Sequence, residues 1–198
     1  MSEFSTYFTL GFEHITAINA FDHLLFILAL CAIYKFSDWR KIAILVTAFT
    51  LGHSITLALA TFNWVKTNAN FIEFLIPVTI LLTCLSNFFY KIPDRKPYKT
   101  RKSYLRYIMA LFFGLIHGLG FSNYLRSLLG RAESIIKPLF AFNVGLEFGQ
   151  LFIVTISIAV ISMLLKFTNI KHQDLKIGLS GFIAGMALFM IKNAAIFG

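Results

Sequence analysis

Hydrophobic residues along this chain come in long runs that are separated by short polar segments. Each run is about 20 residues long, which is enough for an α-helix to cross a hydrocarbon layer about 30 Å thick. The predicted spans are residues 13–34, 41–62, 71–90, 105–123, 138–165 and 178–196. The pattern therefore predicts an all-α, polytopic membrane protein with about six transmembrane helices.

The polar segments between these runs differ in charge. Those after the first, third and fifth runs, with the residues flanking them, carry thirteen of the 18 Lys and Arg residues, and the rest of the chain carries five. Because loops rich in Lys and Arg stay in the cytoplasm, these three segments are predicted to be cytoplasmic and both termini to face outward. The most basic segment, about residues 91–106, is then the main cytoplasmic loop of a single transmembrane domain that covers residues 1–198.

Two features of the organisation stay open at this stage. Residues 123–137 mix leucine and isoleucine with charged residues, so they form either a short helix in the outer interface or a plain loop. Three spans before the basic loop and three after it would have the opposite orientations of an inverted repeat. The similarity between the two halves is too weak to establish such a repeat from sequence.

The composition supports a membrane location. Hydrophobic residues make up 58% of the chain and charged residues only 14%, whereas a soluble domain has about 25% charged residues. The net charge of +9 lies in the segments between apolar runs and not on one soluble face, so a nucleic-acid partner is not expected. We expect a multi-pass protein of the plasma (inner) membrane with lipid as its surroundings, and a homo-oligomer is left open.

Several ionisable residues lie inside the predicted spans. Such a group costs several kcal/mol in a bilayer unless it is paired, hydrated or bound to a metal ion. With a rise of about 1.5 Å per residue, these residues all fall roughly 14–18 Å into their spans, close to the membrane midplane. The candidate metal ligands of this layer are Asp22, His23, His53, His117 and Glu147.

His14 is a further candidate at the outer end of the first span. It lies eight residues before Asp22, which corresponds to about 12 Å along a straight helix. A break in the helix at Asn19 or Ala20 would bring the two side chains together. His172 falls in a basic segment, and we expect its imidazole to be solvated.

Imidazole and carboxylate ligands suit a divalent transition metal such as Ni²⁺, Co²⁺ or Zn²⁺, and the absence of a Cys or Met cluster argues against Cu⁺. One function that fits is a permease with weak, exchangeable metal binding. Another is an intramembrane zinc-dependent hydrolase in which Glu147 or Asp22 acts as the general base. A third is a structural protein whose polar layer only fixes helix packing. Only the hydrolase is an enzyme, so whether the protein has enzymatic activity stays open.

Four segments resemble the conserved blocks of the HupE/UreJ family, in particular its second subfamily. They are "GFEHITAINAFDHLLFILAL", "FTLGHSITLALA", "GLIHGLGFS" and "FNVGLEFGQL". The resemblance implies a nickel or cobalt permease with about six spans. The positions that match the family blocks are His14, Asp22, His23, His53, His117 and Glu147. The first motif departs from the family pattern His-Pro-x-x-Gly-x-Asp-His, because the stretch from His14 to His23 lacks the Pro and Gly and is two residues longer.

Overall fold

The computed structural model describes residues 2–17, 21–65, 68–92, 101–129 and 135–194. Within these ranges the chain forms seven α-helices, one short 3₁₀ turn at Phe36–Asp38 and no strand. The helices are α1 (Glu3–Thr16), α2 (Phe21–Cys31), α3 (Trp39–Thr61), α4 (Ala69–Phe89), α5 (Arg101–Leu129), α6 (Ile136–Phe167) and α7 (His172–Asn193). The predicted all-α, polytopic fold is confirmed.

The first predicted span is two helices and not one. Helices α3 to α7 are each long and apolar enough to cross a membrane, whereas α1 and α2 pass this criterion only together and meet at an angle of 68°. The helical structure also begins at Glu3, ten residues before the predicted start at residue 13. The prediction of one continuous helix over residues 13–34 was therefore wrong. Asn19 and Ala20, where a break would bring His14 and Asp22 together, lie outside the described residues.

Other boundaries differ from the pattern as well. Helix α5 continues to Leu129, so the first half of the 123–137 segment is neither a plain loop nor a separate interfacial helix. Residues 93–100 of the predicted cytoplasmic loop and residues 130–134 lie outside the described part of the chain. Helix α7 begins at His172, whose imidazole is half-buried and lies 3.0 Å from the carbonyl oxygen of Ala32. The expectation that His172 is simply solvated was wrong.

Helices α3 and α5 pack closely through glycine. A Cβ atom on Gly52 would overlap the carbonyl oxygen of Leu111, and one on Gly114 would overlap the carbonyl oxygen of Phe49. Further along, Gly118 packs against the backbone of His53. Because the residue numbers increase together on the two helices, α3 and α5 run parallel. The absence of side chains at these crossings lets the backbones approach and holds His53 beside α5.

Helices α1 and α6 repeat this arrangement. A Cβ atom on Gly11 would overlap the carbonyl oxygen of Phe142, and one on Gly145 would overlap the carbonyl oxygen of Phe8. Gly149 packs against Phe12, so this pair is parallel too. In each pair, a glycine on one helix contacts the residue three positions before the glycine on the other. The two pairs therefore share one packing arrangement.

The surface of the bundle is apolar and one end is basic. Large exposed hydrophobic side chains, including Phe140, Phe148, Phe182 and Phe189, cover the helices where a membrane surrounds them, so lipid is the expected neighbour. At one end of the bundle the amino group of Lys176 donates to the carbonyl oxygen of Tyr90. The guanidinium of Arg106 lies 4.3 Å from the centre of the Tyr90 ring. We call this the basic end.

Candidate metal centre

The first turn of α2 presents a paired carboxylate and imidazole. The Asp22 carboxylate oxygen Oδ1 lies 2.9 Å from both the backbone nitrogen and the Nδ1 atom of His23. A neutral His23 therefore carries its proton on Nδ1, where it donates to Asp22, and its Nε2 atom is left with a free lone pair. Nε2 is buried and has no hydrogen-bond partner among the described residues. A carboxylate that orients a histidine in this way is typical of metal sites.

Helix α5 presents a second imidazole whose tautomer can also be deduced. The hydroxyl of Thr79 on α4 donates its only proton to the carbonyl oxygen of Ile76 at 2.6 Å. The same hydroxyl oxygen lies 3.1 Å from Nε2 of His117, so it must accept a proton from that nitrogen. Nδ1 of His117 then has a free lone pair, and it is buried without a partner in the described structure. Thr79 thus prepares His117 to act as a ligand through Nδ1.

These side chains converge on one point. Each of Asp22, His23 and His117 offers a ligand atom, and the three atoms lie within 4.8 Å of one another. Metal bonds to nitrogen and oxygen are about 2.0–2.2 Å long, so the ligand atoms need to close in by about 1 Å to share one ion. The rings of His23 and His117 meet edge to face with their centres 5.2 Å apart.

Two more histidines border this group. The ring centre of His14 lies 4.8 Å from that of His23, and the ring centre of His53 lies 6.4 Å from it. His53 is fully buried, and neither of its nitrogens has a hydrogen-bond partner among the described residues. A buried polar atom without a partner costs free energy, so several such nitrogens in one place need an explanation. A bound cation would provide it.

Glu147 does not join the histidines. Its carboxylate accepts a hydrogen bond of 2.8 Å from the hydroxyl of Thr47 on α3. One turn further, Thr50 donates to the amide oxygen of Gln150, also at 2.8 Å. Glu147 and Gln150 therefore connect α6 to α3. Of the six candidates, the structure brings five together and leaves Glu147 beside Thr47.

An open cavity leads to the cluster. Its volume is about 480 Å³, and it is lined by His14, Asp22, His23 and His117 together with two further carboxylates, Glu13 of α1 and Glu73 of α4. Glu73 lies near the start of α4, so the cavity opens away from the basic end. No Lys, Arg, Cys or Met of the described residues lines it. Its charge and its ligand types both suit a divalent cation of the nickel, cobalt or zinc kind.

Aromatic rings separate the cluster from the basic end. The ring centre of His117 lies 5.4 Å from that of Phe26 and 5.1 Å from that of Phe49. Phe26 in turn contacts Phe113, with the ring centres 6.1 Å apart. This aromatic layer of Phe26, Phe49 and Phe113 is buried. In this structure the site is therefore open on one side and closed on the other.

Sequence reasoning missed Glu73 and Thr79 as parts of the site, and it left Glu13 open between an entrance relay and an interfacial polar residue. Glu13 and Glu73 sit near helix ends, where an acidic residue usually contacts water and needs no functional explanation. Thr79 is one of many threonines in the spans, and a hydroxyl that bonds to its own helix is common there. Only their positions around the cavity distinguish them.

Comparisons with known proteins agree with the resemblance seen in the sequence. The family model described as HupE / UreJ protein matches residues 1–193 of the chain. A search of curated proteins and a search of solved structures each found no match.

Proposed function

Because the chain belongs to the HupE/UreJ family, we propose that it is a permease for a divalent transition-metal cation of the nickel or cobalt type. The observation that carries this proposal is the group of buried imidazole nitrogens that find no hydrogen-bond partner in the described part of the chain and lie at the end of an open, acidic cavity. The proposed binding site consists of Asp22, His23 and His117, with His14 and His53 beside it. The cation is the cargo.

Each residue has a role that follows from its contacts. The carboxylates of Glu13 and Glu73 at the cavity mouth raise the local concentration of cations. Asp22 and the neutral imidazoles replace the water that the ion loses, and one carboxylate partly neutralises its charge. Because imidazole and carboxylate ligands bind late first-row metals more weakly than thiolates do, the ion can also leave. Glu147 stabilises the contact between α3 and α6.

Orientation in the membrane follows from charge. By the positive-inside rule, the basic end faces the cytoplasm and the cavity opens to the outside. On this reading the protein takes up a cation into the cytoplasm across the plasma membrane. Reaction of the cysteine in a Glu73→Cys variant with an impermeant thiol reagent added to intact cells tests the orientation. Labelling only after the cells are opened would contradict it.

The experiment that tests the function uses purified protein in proteoliposomes. We expect uptake of Ni²⁺ or Co²⁺ into vesicles that contain a metal-sensitive dye, and we expect the protein purified without added metal to retain little metal by elemental analysis. Uptake should be lost in the His23→Ala variant and kept in the His172→Ala variant, which removes an imidazole far from the site. Binding of Ni²⁺ without any uptake would overturn the proposal.

The zinc-dependent hydrolase remains the second candidate, because Asp22, His23 and His117 also form a three-ligand set with an open position. It requires a free general base near the metal. Neither base named from the sequence is free, because Asp22 accepts from His23 and Glu147 accepts from Thr47. The base would have to be Glu13 or Glu73, the two other carboxylates that line the cavity. About one zinc per chain retained through purification, together with hydrolysis of a lipid or peptide, would favour the hydrolase.

A further inference from the structure

A second, smaller cavity lies on the far side of the aromatic layer. Its volume is about 20 Å³. It is enclosed by α2, α4 and α5, the same three helices that supply Asp22, His23, Thr79 and His117 to the metal site. Its lining includes Leu30 of α2, Thr83, Ser86 and Asn87 of α4, and Arg106 and Phe113 of α5.

Helix α4 connects the two cavities with a line of polar residues. Thr79, Thr83 and Asn87 are spaced four residues apart, so they lie on one face of the helix. All three are buried. Thr79 contacts His117, and Asn87 lies two turns, about 12 Å, further toward the basic end. The part of the bundle beyond the site therefore contains a line of buried polar side chains.

Hydrogen bonding leaves this line with acceptor atoms only. The hydroxyl proton of Thr83 is donated to the carbonyl oxygen of Thr79 at 2.9 Å. The amide group of Asn87 donates to the carbonyl oxygen of Ala29 and to the hydroxyl oxygen of Ser180, at 2.7 Å and 3.2 Å. Both amide protons of Asn87 are thus used, and its carbonyl oxygen remains. Oxygen lone pairs without a competing proton are weak ligands for a cation.

One aromatic contact closes the path. Phe113 lines the small cavity and packs against Phe26, which packs against His117. These two rings therefore lie between His117 and the small cavity. Arg106 also lines the small cavity, and its guanidinium lies over the Tyr90 ring. A fixed positive charge there repels a metal ion, so the small cavity does not retain one.

We propose that Thr79, Thr83 and Asn87 form the release route by which the cation passes from the histidine site to the basic end, with Phe26 and Phe113 as its gate. This inference rests on the proposed permease function. Thr79 links this route to the site through His117, whereas Thr83 and Asn87 act after binding and affect transport without being part of the binding site. A hydrolase would have no use for them.

The test separates binding from transport. Thr83→Val removes the hydroxyl and keeps the shape of the side chain, and Thr155→Val makes the same change on α6, where the hydroxyl also bonds to its own helix but faces lipid. Affinity for Ni²⁺ is measured by calorimetry on purified protein, and the initial rate of Ni²⁺ uptake is measured in proteoliposomes. For Thr83→Val we expect affinity within about twofold of the wild type and an uptake rate lower by about tenfold, since ~1.4 kcal/mol on one step is tenfold in rate. Thr155→Val should change neither.

A second variant protects the test against a folding defect. Ser86→Val places an apolar side chain at the small cavity in a position that is only half-buried, and it should also slow uptake at unchanged affinity. Wild-type uptake in Thr83→Val and Ser86→Val would overturn the release route and leave the permease function standing. A wild-type protein that binds Ni²⁺ and never transports it would overturn both.

Discussion

The two parallel helix pairs, α1 with α6 and α3 with α5, have the same packing and different chemistry. Gly11 and Gly145 bring the first pair together, and Gly114 and Gly52 bring the second pair together through the corresponding backbone contacts. Aligning Gly11 with Gly114 and Gly145 with Gly52 matches α1 to α5 and α6 to α3. Such a relation is expected for the two halves of an inverted repeat.

The side chains around these glycines are only partly duplicated. His14 follows Gly11 by three residues and His117 follows Gly114 by three, so the two imidazoles occupy equivalent positions. His53 directly follows Gly52, whereas the residue after Gly145 is Leu146. The pair of α3 and α5 thus supplies two imidazoles to the site and the pair of α1 and α6 supplies one.

This difference shows that the residues responsible for close helix packing are not the residues responsible for metal binding. Glycine at the crossing is needed in both pairs, because the backbones touch in both. The ligands are needed only where the bent connection between α1 and α2 brings Asp22 and His23 against α5. The site is therefore asymmetric although the scaffold is nearly symmetric.

The largest expected effect distinguishes the two equivalent histidines. His117 belongs to the three-residue ligand group, whereas His14 borders it. We expect His117→Ala to weaken Ni²⁺ binding by ~100-fold, or about 2.7 kcal/mol, and His14→Ala to weaken it by at most ~10-fold. Calorimetric titration of the purified variants measures both. Equal losses of Ni²⁺ affinity in the two variants would mean that both histidines contribute equally, so that the site would share the symmetry of the helix pairs.

A somewhat smaller effect is expected for the carboxylates. Asp22→Asn removes the negative charge beside the ion and replaces the carboxylate that orients His23 with a weaker, neutral acceptor, and a change of this kind typically weakens metal binding by about 10- to 100-fold. Glu147→Gln should leave the affinity for Ni²⁺ within about twofold of the wild-type value, because Glu147 contacts Thr47 outside the cluster. The same titration is used, and its control is the wild-type protein. A large loss of affinity in Glu147→Gln would place that residue back among the ligands.

The shared packing predicts matched effects on stability. Gly52→Ala and Gly145→Ala each force a methyl group onto a carbonyl oxygen of the neighbouring helix, and overpacking of this kind costs typically about 1–3 kcal/mol. Gly181→Ala is the control, since a Cβ atom there has no neighbour within 4 Å. Thermal unfolding in detergent should show lower midpoints for the first two variants and an unchanged or higher midpoint for the control. A stable Gly145→Ala variant would show that the two pairs are not packed alike.

The smallest expected effect concerns the cavity mouth. Glu13 on α1 has Ile116 as its equivalent on α5, so only one pair carries a charge at this position. Glu13→Gln should lower the initial rate of Ni²⁺ uptake by about twofold to fivefold at low ionic strength, and the difference should shrink in ~0.15 M salt, where charges are screened beyond about 8 Å. A difference that persists in salt would indicate direct ligation by Glu13.

Much of the fold could be predicted from the pattern of apolar runs, because a helix that spans lipid must satisfy its backbone hydrogen bonds within itself. The spans of α3, α4 and α6 were predicted closely for this reason. The first span was not predicted closely, because it consists of two helices. The sequence from Glu13 to Tyr34 is apolar enough for one helix, and hydropathy carries no information on the change of direction between Thr16 and Phe21.

The candidate site could be predicted by residue type and depth, since ionisable groups in lipid are costly and stand out. Depth alone could not separate Glu147 from the histidines, because residues at the same level can face different neighbours around a helix. Nor could it identify Thr79, whose contribution depends on one hydrogen bond to His117.

By itself, the sequence determined that this chain is a helical membrane protein and that imidazole and carboxylate groups lie deep within it, because both follow from the cost of polar groups in lipid. The tertiary structure alone decided which of these groups meet. It placed His14 beside His23 across the bend between α1 and α2, and it turned Glu147 toward Thr47. The reason is that helix direction and rotation depend on packing contacts such as those of Gly11 and Gly52, which no single helix contains.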